Sequence, residues 1–223
     1  MPWAGENPPM DLPSIDEIMR LPSPAPAPQA LAFDGELLWM GSWETQRIYG
    51  IVPQRGTVRE EANAPGRPVG AVAVGDELRV VCSEGVEDNR FIRRYIPGHG
   101  FKMNEKVPCP DDTGSFLAFD GLHLWLSQRY DKRILELDAA YAVTRVIPFD
   151  AQIVGIVLVG QTLYLSTWHG RDGGCKIARG SLATGTFEYV ASAGFAAISI
   201  THDGSRFWSN DPRTNEMVAY TLP

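Results

Sequence analysis

One phrase occurs twice in the chain. Ala32-Phe33-Asp34-Gly35 followed by Leu37-Leu38-Trp39 returns as Ala118-Phe119-Asp120-Gly121 followed by His123-Leu124-Trp125. The same frame falls on Val74-Gly75-Asp76, Val159-Gly160-Gln161 and His202-Asp203-Gly204, so one turn position recurs at residues 35, 76, 121, 161 and 204. A period of 40 to 45 residues means that the fold is built from one supersecondary unit used again and again. No globular alternative with a single irregular core would impose it.

Each unit reads as antiparallel strands. Four residues before the turn position stand Leu31, Val72, Leu117, Val157 and Ile200, and four after it stand Trp39, Val80, Trp125, Leu165 and Trp208. Apolar positions flanking Asp-Gly or Gly-Asp pairs predict strand, two-residue hairpin, strand, because these residues tolerate positive φ. A third, alternating strand follows at 47–51, 90–93, 133–137, 176–179 and 216–220, and a fourth at 57–62, 103–107, 143–147 and 186–190. The last unit has no fourth strand, but residues 15–21 precede the first unit with the spacing of one. The fold expected is therefore all-β, a five-bladed β-propeller of four-stranded antiparallel blades with an N-terminal strand closing the last blade. Residues 14–223 form the one domain, and the proline-bearing residues 1–13 form an irregular tail. A ring closed by its own chain needs no capping partner, so a monomer is expected.

Composition narrows the function. With 223 residues, 44% of them hydrophobic, the chain can bury one large core without disulfides or structural metal. Against 27 acidic residues there are 20 Lys and Arg, a net charge of −7, which opposes nucleic-acid and anionic-membrane partners. Cys82, Cys109 and Cys175 are odd in number and lack metal-finger spacing, which suits a reducing, cytoplasmic setting. No secretory pattern marks the first residues, and the longest apolar run, 153–159, is too short to span a bilayer.

In a propeller, the loops leading into the innermost strands share one face with those joining the second and third strands. On that face the second set gathers Trp43, Glu44, Arg129, Tyr130, Trp168, His169, Asn210 and Arg213. Aromatic walls with a few convergent polar groups describe a small-molecule pocket. His169, in Thr167-Trp168-His169-Gly170, is a candidate general acid/base, and Glu44 a second. Trp43, Tyr130 and Trp168 are candidate walls, while Arg129, Asn210 and Arg213 are candidate polar contacts. Glu44, Glu84, Asp131 and Asp211 occupy equivalent loops of four blades and could ring a Ca²⁺ or Mg²⁺ ion. The basic residues opening the third strands, Arg47, Arg90, Arg133 and Lys176, are expected to form ion pairs between blades. Phosphate loops, Gly-x-Ser-x-Gly elbows and His-Glu-x-x-His are absent.

The Ala-Phe-Asp-Gly to Leu-Trp repeat, with short third strands such as Arg133-Ile134-Leu135-Glu136-Leu137, resembles the glutamine cyclotransferase-like propellers and the streptogramin B lyase-like propellers. The motif also occurs in gluconolactonase-like propellers. The resemblance implies five blades and an enzyme acting on a small molecule as a lyase, cyclotransferase or lactonase, with a divalent metal in the lyase and lactonase types. Met40-Gly41-Ser42-Trp43 stands where the cyclotransferases carry their Glu-Ser-Thr-Gly type segment, so their catalytic glutamate does not map. The lyase Glu-x-His element has no match at Trp168-His169-Gly170. The alternative is a non-catalytic ligand-binding or sensing propeller using the same face.

Overall fold

The computed structural model describes residues 12–223, and most of the expected tail lies outside them. Blade 1 comprises β2 (Pro28–Phe33), β3 (Leu38–Ser42), β4 (Arg47–Val52) and β5 (Thr57–Asn63). Blade 2 comprises β6 (Arg67–Val74), β7 (Glu77–Glu84), β8 (Asn89–Ile96) and β9 (Gly100–Pro108). Blade 3 holds β10 (Leu117–Phe119), β11 (Leu124–Gln128), β12 (Arg133–Leu137) and β13 (Val143–Pro148). Blade 4 holds β14 (Gln152–Val159), β15 (Thr162–Trp168), β16 (Cys175–Ser181) and β17 (Thr186–Ala193). Blade 5 joins β18 (Ile198–His202), β19 (Phe207–Asp211) and β20 (Glu216–Thr221) to β1 (Asp16–Pro22), from the other end of the chain.

The five sheets form a ring. Innermost strands touch in succession, β2 with β6, β6 with β10, β10 with β14, β14 with β18, and β18 with β2. Closure is antiparallel, with Asp16 opposite Thr221 and Pro22 opposite Glu216. The N-terminal segment is also tied to blade 4: Ile15 N–H donates to Ser192 O at 3.0 Å, and Ser192 N–H to Pro13 O at 2.8 Å. Pro13, expected in the tail, thus belongs to the folded ring.

Near the axis five backbones converge, and at the closest approaches only small residues fit. Ala32, Ala71, Ala73 and Ala118 help to line a narrow central cavity of about 150 Å³. Gly70 lies so close to blade 3 that a Cβ would stand 2.2 Å from Ser115 O, and a Cβ on Gly155 would stand 2.6 Å from the Ser199 carbonyl carbon of blade 5. Large side chains fill the wider space farther out, as where Trp39 of blade 1 meets Tyr95 of blade 2 edge-on, centroids 5.2 Å apart.

The turn that defines the repeat is of two kinds. In blades 2 and 4 the first two strands are joined by Gly75-Asp76 and Gly160-Gln161, two-residue hairpins as expected, with glycine φ of +60° and +62°. Blades 1, 3 and 5 depart from the expectation, because Asp34, Asp120 and Asp203 each open a four-residue loop. One oxygen of each Asp accepts two backbone N–H groups, from Glu36 and Leu37, Leu122 and His123, or Ser205 and Arg206, at 2.6–2.9 Å. The other accepts the indole N–H of Trp39, Trp125 or Trp208, at 2.6, 2.9 and 2.8 Å. The Asp and the Trp five residues later are one device: the carboxylate caps the turn and satisfies an otherwise costly buried indole N–H.

Burial works against ionisation of Asp203, but hydrogen bonds from Trp208 and from Ser205 and Arg206 outweigh it and hold its carboxyl at about 2. An unfolded Asp titrates near about 3.9. The clip's contribution is therefore complete above that value and is lost as pH falls through about 2. Asp203→Asn is expected to lower stability at neutral pH and to flatten the acid limb between about pH 4 and 2, read by urea unfolding at several pH values. An unchanged acid limb would mean that the carboxylate charge does not hold the turn. Gly70→Ala is expected to cost about 1–3 kcal/mol through overpacking against Ser115. The same unfolding curves measure it.

Candidate functional site

The loops joining second to third strands share one form in four blades. Trp43-Glu44-Thr45-Gln46, Gly85-Val86-Glu87-Asp88, Arg129-Tyr130-Asp131-Lys132 and Pro212-Arg213-Thr214-Asn215 are each four residues long. Each ends on a left-handed residue, with φ of +54° at Gln46, +57° at Asp88, +52° at Lys132 and +56° at Asn215. Blade 4 departs from this form. Its six-residue loop, 169–174, contains a single helical turn, α1 (Gly170–Gly173), and begins with His169.

The innermost strands are irregular where they approach the same face. Register shifts leave one extra residue, Gln29 in β2, Val69 in β6 and Val154 in β14, and break the β18 pairing between Ile198 and Thr201. A bulge bends its strand and re-aims a side chain. Gln29 and Val69 accordingly line a cavity of about 310 Å³ at the axis mouth. Trp43, Arg90, Phe116, Arg129, Tyr130 and Pro212 complete most of its wall. Of the candidate residues in the sequence, Trp43, Arg129 and Tyr130 meet here.

Arginines and aromatic rings are interleaved around this cavity. Arg67 and Arg90 stand over the Trp43 ring at 5.1 and 5.5 Å from its centroid, and Arg129 over Tyr130 at 5.3 Å. Arg67 pairs with Asp88 at 3.2 Å, and Ser83 Oγ donates to the same carboxylate at 2.6 Å. Among the described residues the side chains of Arg90 and Arg129 are tethered by Nε alone, to Asp88 O at 3.1 Å and to Gln152 Oε1 at 3.1 Å. Burial pulls the Arg90 guanidinium below its ordinary range, with the nearby Asp88 charge opposing. Sequence position alone makes Arg90 an ion-pairing residue, and the structure makes it part of a pocket wall. The signal that could have found it is its place opening a third strand directly beside the loop tip.

Trp168 and His169 lie in a neighbouring cleft of about 290 Å³, with Lys132, Asp150 and Gln152. Gln152 is shared, since it also holds Arg129. His169 packs on Tyr189, centroids 5.1 Å apart, and its Nε2 meets Thr167 Oγ1 at 3.0 Å. Thr167 donates its one hydroxyl hydrogen to Lys176 O at 2.9 Å, so the imidazole must donate from Nε2, which leaves Nδ1 as the basic nitrogen. Burial holds the imidazole below its ordinary value; the Lys176 charge adds to this and Asp150 opposes it.

The four carboxylates expected to ring an ion are not gathered. Among the described residues no three His, Cys, Asp or Glu side chains group in a way that could hold a metal. Glu84 is engaged by Arg93 at 2.7 Å and Lys106 at 3.3 Å, and Asp211 by Arg20 at 3.3 Å. Asp131 lies 3.6 Å from Arg133, and Glu44 is exposed on its loop. These side chains do not fit a divalent cation site. Asn210 is fully buried, donating to Ala30 O at 3.2 Å while its Oδ1 has no partner among the described residues, and Arg213 is exposed.

The expected ion pairs between blades are also replaced. Arg47 pairs with Glu61 inside blade 1, Arg133 reaches Asp111 on the loop leading into its own blade, and Lys176 stands over Tyr189 of its own sheet. Only Arg90 of these four crosses between blades, to an aromatic face instead of a carboxylate. A strand's first residue lies beside its own neighbouring strands, which are nearer than the next blade.

No protein-family model and no curated protein sequence matches the chain. Among solved structures, it is similar to the glutaminyl cyclase of Myxococcus xanthus, with a TM-score of 0.67, 12% identity and coverage of 94% of this chain and 96% of that one. It is also similar to the virginiamycin B lyase of Staphylococcus aureus, with a TM-score of 0.53, 20% identity and coverage of 91% and 69%. The chain shares the propeller fold with both.

His169 is expected to titrate below about 6.5, the ordinary histidine value. Replacing Lys176 by Met should raise that midpoint, because a repelling charge is removed. Proton NMR of the ring, assigned by comparison with His169→Gln, measures both, and an unmoved midpoint would mean that Lys176 does not act on it.

Proposed function

We propose that the protein is a small-molecule-binding propeller whose ligand sits in the axis-mouth cavity between Trp43, Arg90, Arg129 and Tyr130. The observation carrying this reading is convergence. Leading strands of blades 1 and 2 and second-to-third-strand loops of blades 1, 3 and 5 place aromatic, apolar and cationic groups around one space of about 310 Å³. That volume is at the small end of ligand sites, which run about 300–1,000 Å³, and suits a compact metabolite.

His169 supports an enzymatic version of this reading. It is held in one orientation by Thr167 and Tyr189, burial shifts it toward the neutral imidazole, and it shares Gln152 with the Arg129 wall. A neutral imidazole with a free nitrogen suits general base work on a ligand reaching from one cavity into the next. Glu44 is exposed and does not line the cavity, which makes it the weaker candidate. The fold neighbours named as a glutaminyl cyclase and a lyase are enzymes, which agrees with this version at the level of fold.

Equilibrium dialysis against a defined mixture of small metabolites, read by mass spectrometry, tests both parts. The wild type should retain a compound that Trp43→Ala retains at least about tenfold less. Conversion of that compound should fall at least about tenfold in His169→Gln, with retention kept. Equal retention by Trp43→Ala would remove the cavity reading, and retention without conversion would leave a binding module.

A further inference from the structure

The two arginines that line the cavity have no carboxylate in ion-pair contact among the described residues, although the Asp88 charge lies near Arg90. The chain is acidic, with 27 Asp and Glu against 20 Lys and Arg, and most of its buried or half-buried arginines have carboxylate partners: Arg93 with Glu84, Arg79 with Glu77, Arg20 with Glu17, Asp211 and Glu216. Arg67, beside the cavity, has Asp88. Arg90 and Arg129 are different. Neither forms an ion pair with a described carboxylate, although both line the same space.

Their tethers matter as much as their charge. In each, a protein oxygen takes Nε and an aromatic ring lies under the guanidinium, so the plane is fixed. The Nη groups have no acceptor among the described residues. A guanidinium held by Nε with its Nη edge left over is prepared for an oxyanion, and burial strengthens the need for one. Most of the remaining wall is flat or apolar, with Trp43, Phe116, Val69 and Pro212 beside the polar Gln29 and Ser115, and Tyr130 stands 73% exposed at the rim.

We infer that this cavity binds a compact planar organic carboxylate, its oxygens taken by the Nη groups of Arg90 and Arg129 and its flat body laid against Trp43 and Tyr130. This inference rests on the axis-mouth reading above and adds the ligand's chemical class. Selectivity follows from the two halves of the site: a neutral planar analogue forfeits the charge-assisted bonds, and an inorganic anion forfeits the aromatic wall.

Saturation-transfer NMR and tryptophan fluorescence with benzoate, benzamide and inorganic phosphate as probes test it on the whole chain. Benzoate should bind at least about tenfold more tightly than either of the other two. Arg90→Gln and Arg129→Gln should each weaken benzoate at least about fivefold and leave benzamide unchanged, while Arg55→Gln, on the far turn between β4 and β5, should change neither. Because Arg90 also packs on Trp43, melting curves accompany both variants, and Arg129→Gln alone decides the matter if Arg90→Gln unfolds. Equal binding of benzoate and benzamide, both lost in Trp43→Ala, would overturn the carboxylate assignment and leave the cavity reading standing. Phosphate as tight as benzoate would reduce the site to a general anion hole and overturn the planar body. No benzoate binding at saturating concentration would also overturn the assignment, while the metabolite dialysis judges the cavity separately.

Discussion

The whole architecture depends on five sheets meeting around one axis with no free end. Closure comes from β1, drawn from the start of the chain to pair along β20 from its end, and from the lacing of Pro13 and Ile15 to Ser192. A ring satisfies the open strand edges that would otherwise face solvent at the first and last blade. It also brings the inner strands so close at single points that only glycine fits, as the contact of Gly70 with Ser115 illustrates. The bulges at Gln29 and Val69 belong to the same geometry: strands crowded at the axis release an extra residue where they reach the mouth.

The Asp–Trp clips answer a second demand, holding the first hairpin of a blade rigid while a large ring fills the space that widens away from the axis. Asp34 with Trp39, Asp120 with Trp125 and Asp203 with Trp208 use one carboxylate for both purposes. Blades 2 and 4 have Val80 and Leu165 at the Trp position and have no such clip; their turns close as two-residue hairpins on Gly75 and Gly160. Two solutions to the same turn therefore alternate around the ring until blade 5 meets blade 1.

Functionally, a rigid ring presents variable loops, and the informative residues are those that depart from the blade pattern. The blade 4 loop is longer than its counterparts and carries His169, and the cavity arginines lack the carboxylate partners that most other half-buried arginines possess. Both departures fall on the mouth face. Positions serving only the fold follow the repeat, because every blade meets the same packing demands.

Much was legible in the sequence because a repeat multiplies a weak local signal. Blade number, the four strands of each, and the exchanged N-terminal strand all follow from apolar positions recurring at 40 to 45 residues, since alternation and turn chemistry act locally. The loop tips holding Trp43, Arg129 and Tyr130 were legible for the same reason: topology puts equivalent loops on one face. Which tips converge was not. Trp168 and His169 lie in a separate cleft that Gln152 also lines, three of the four acidic residues turn to nearby cations instead of to one another, and Arg90 enters the wall from a third strand. Those outcomes depend on distances between side chains of different blades, which are set by bulges, by ring curvature and by competition among charges, and a linear spacing contains none of these. The sequence by itself determined the ring; the tertiary structure decided what its mouth can hold.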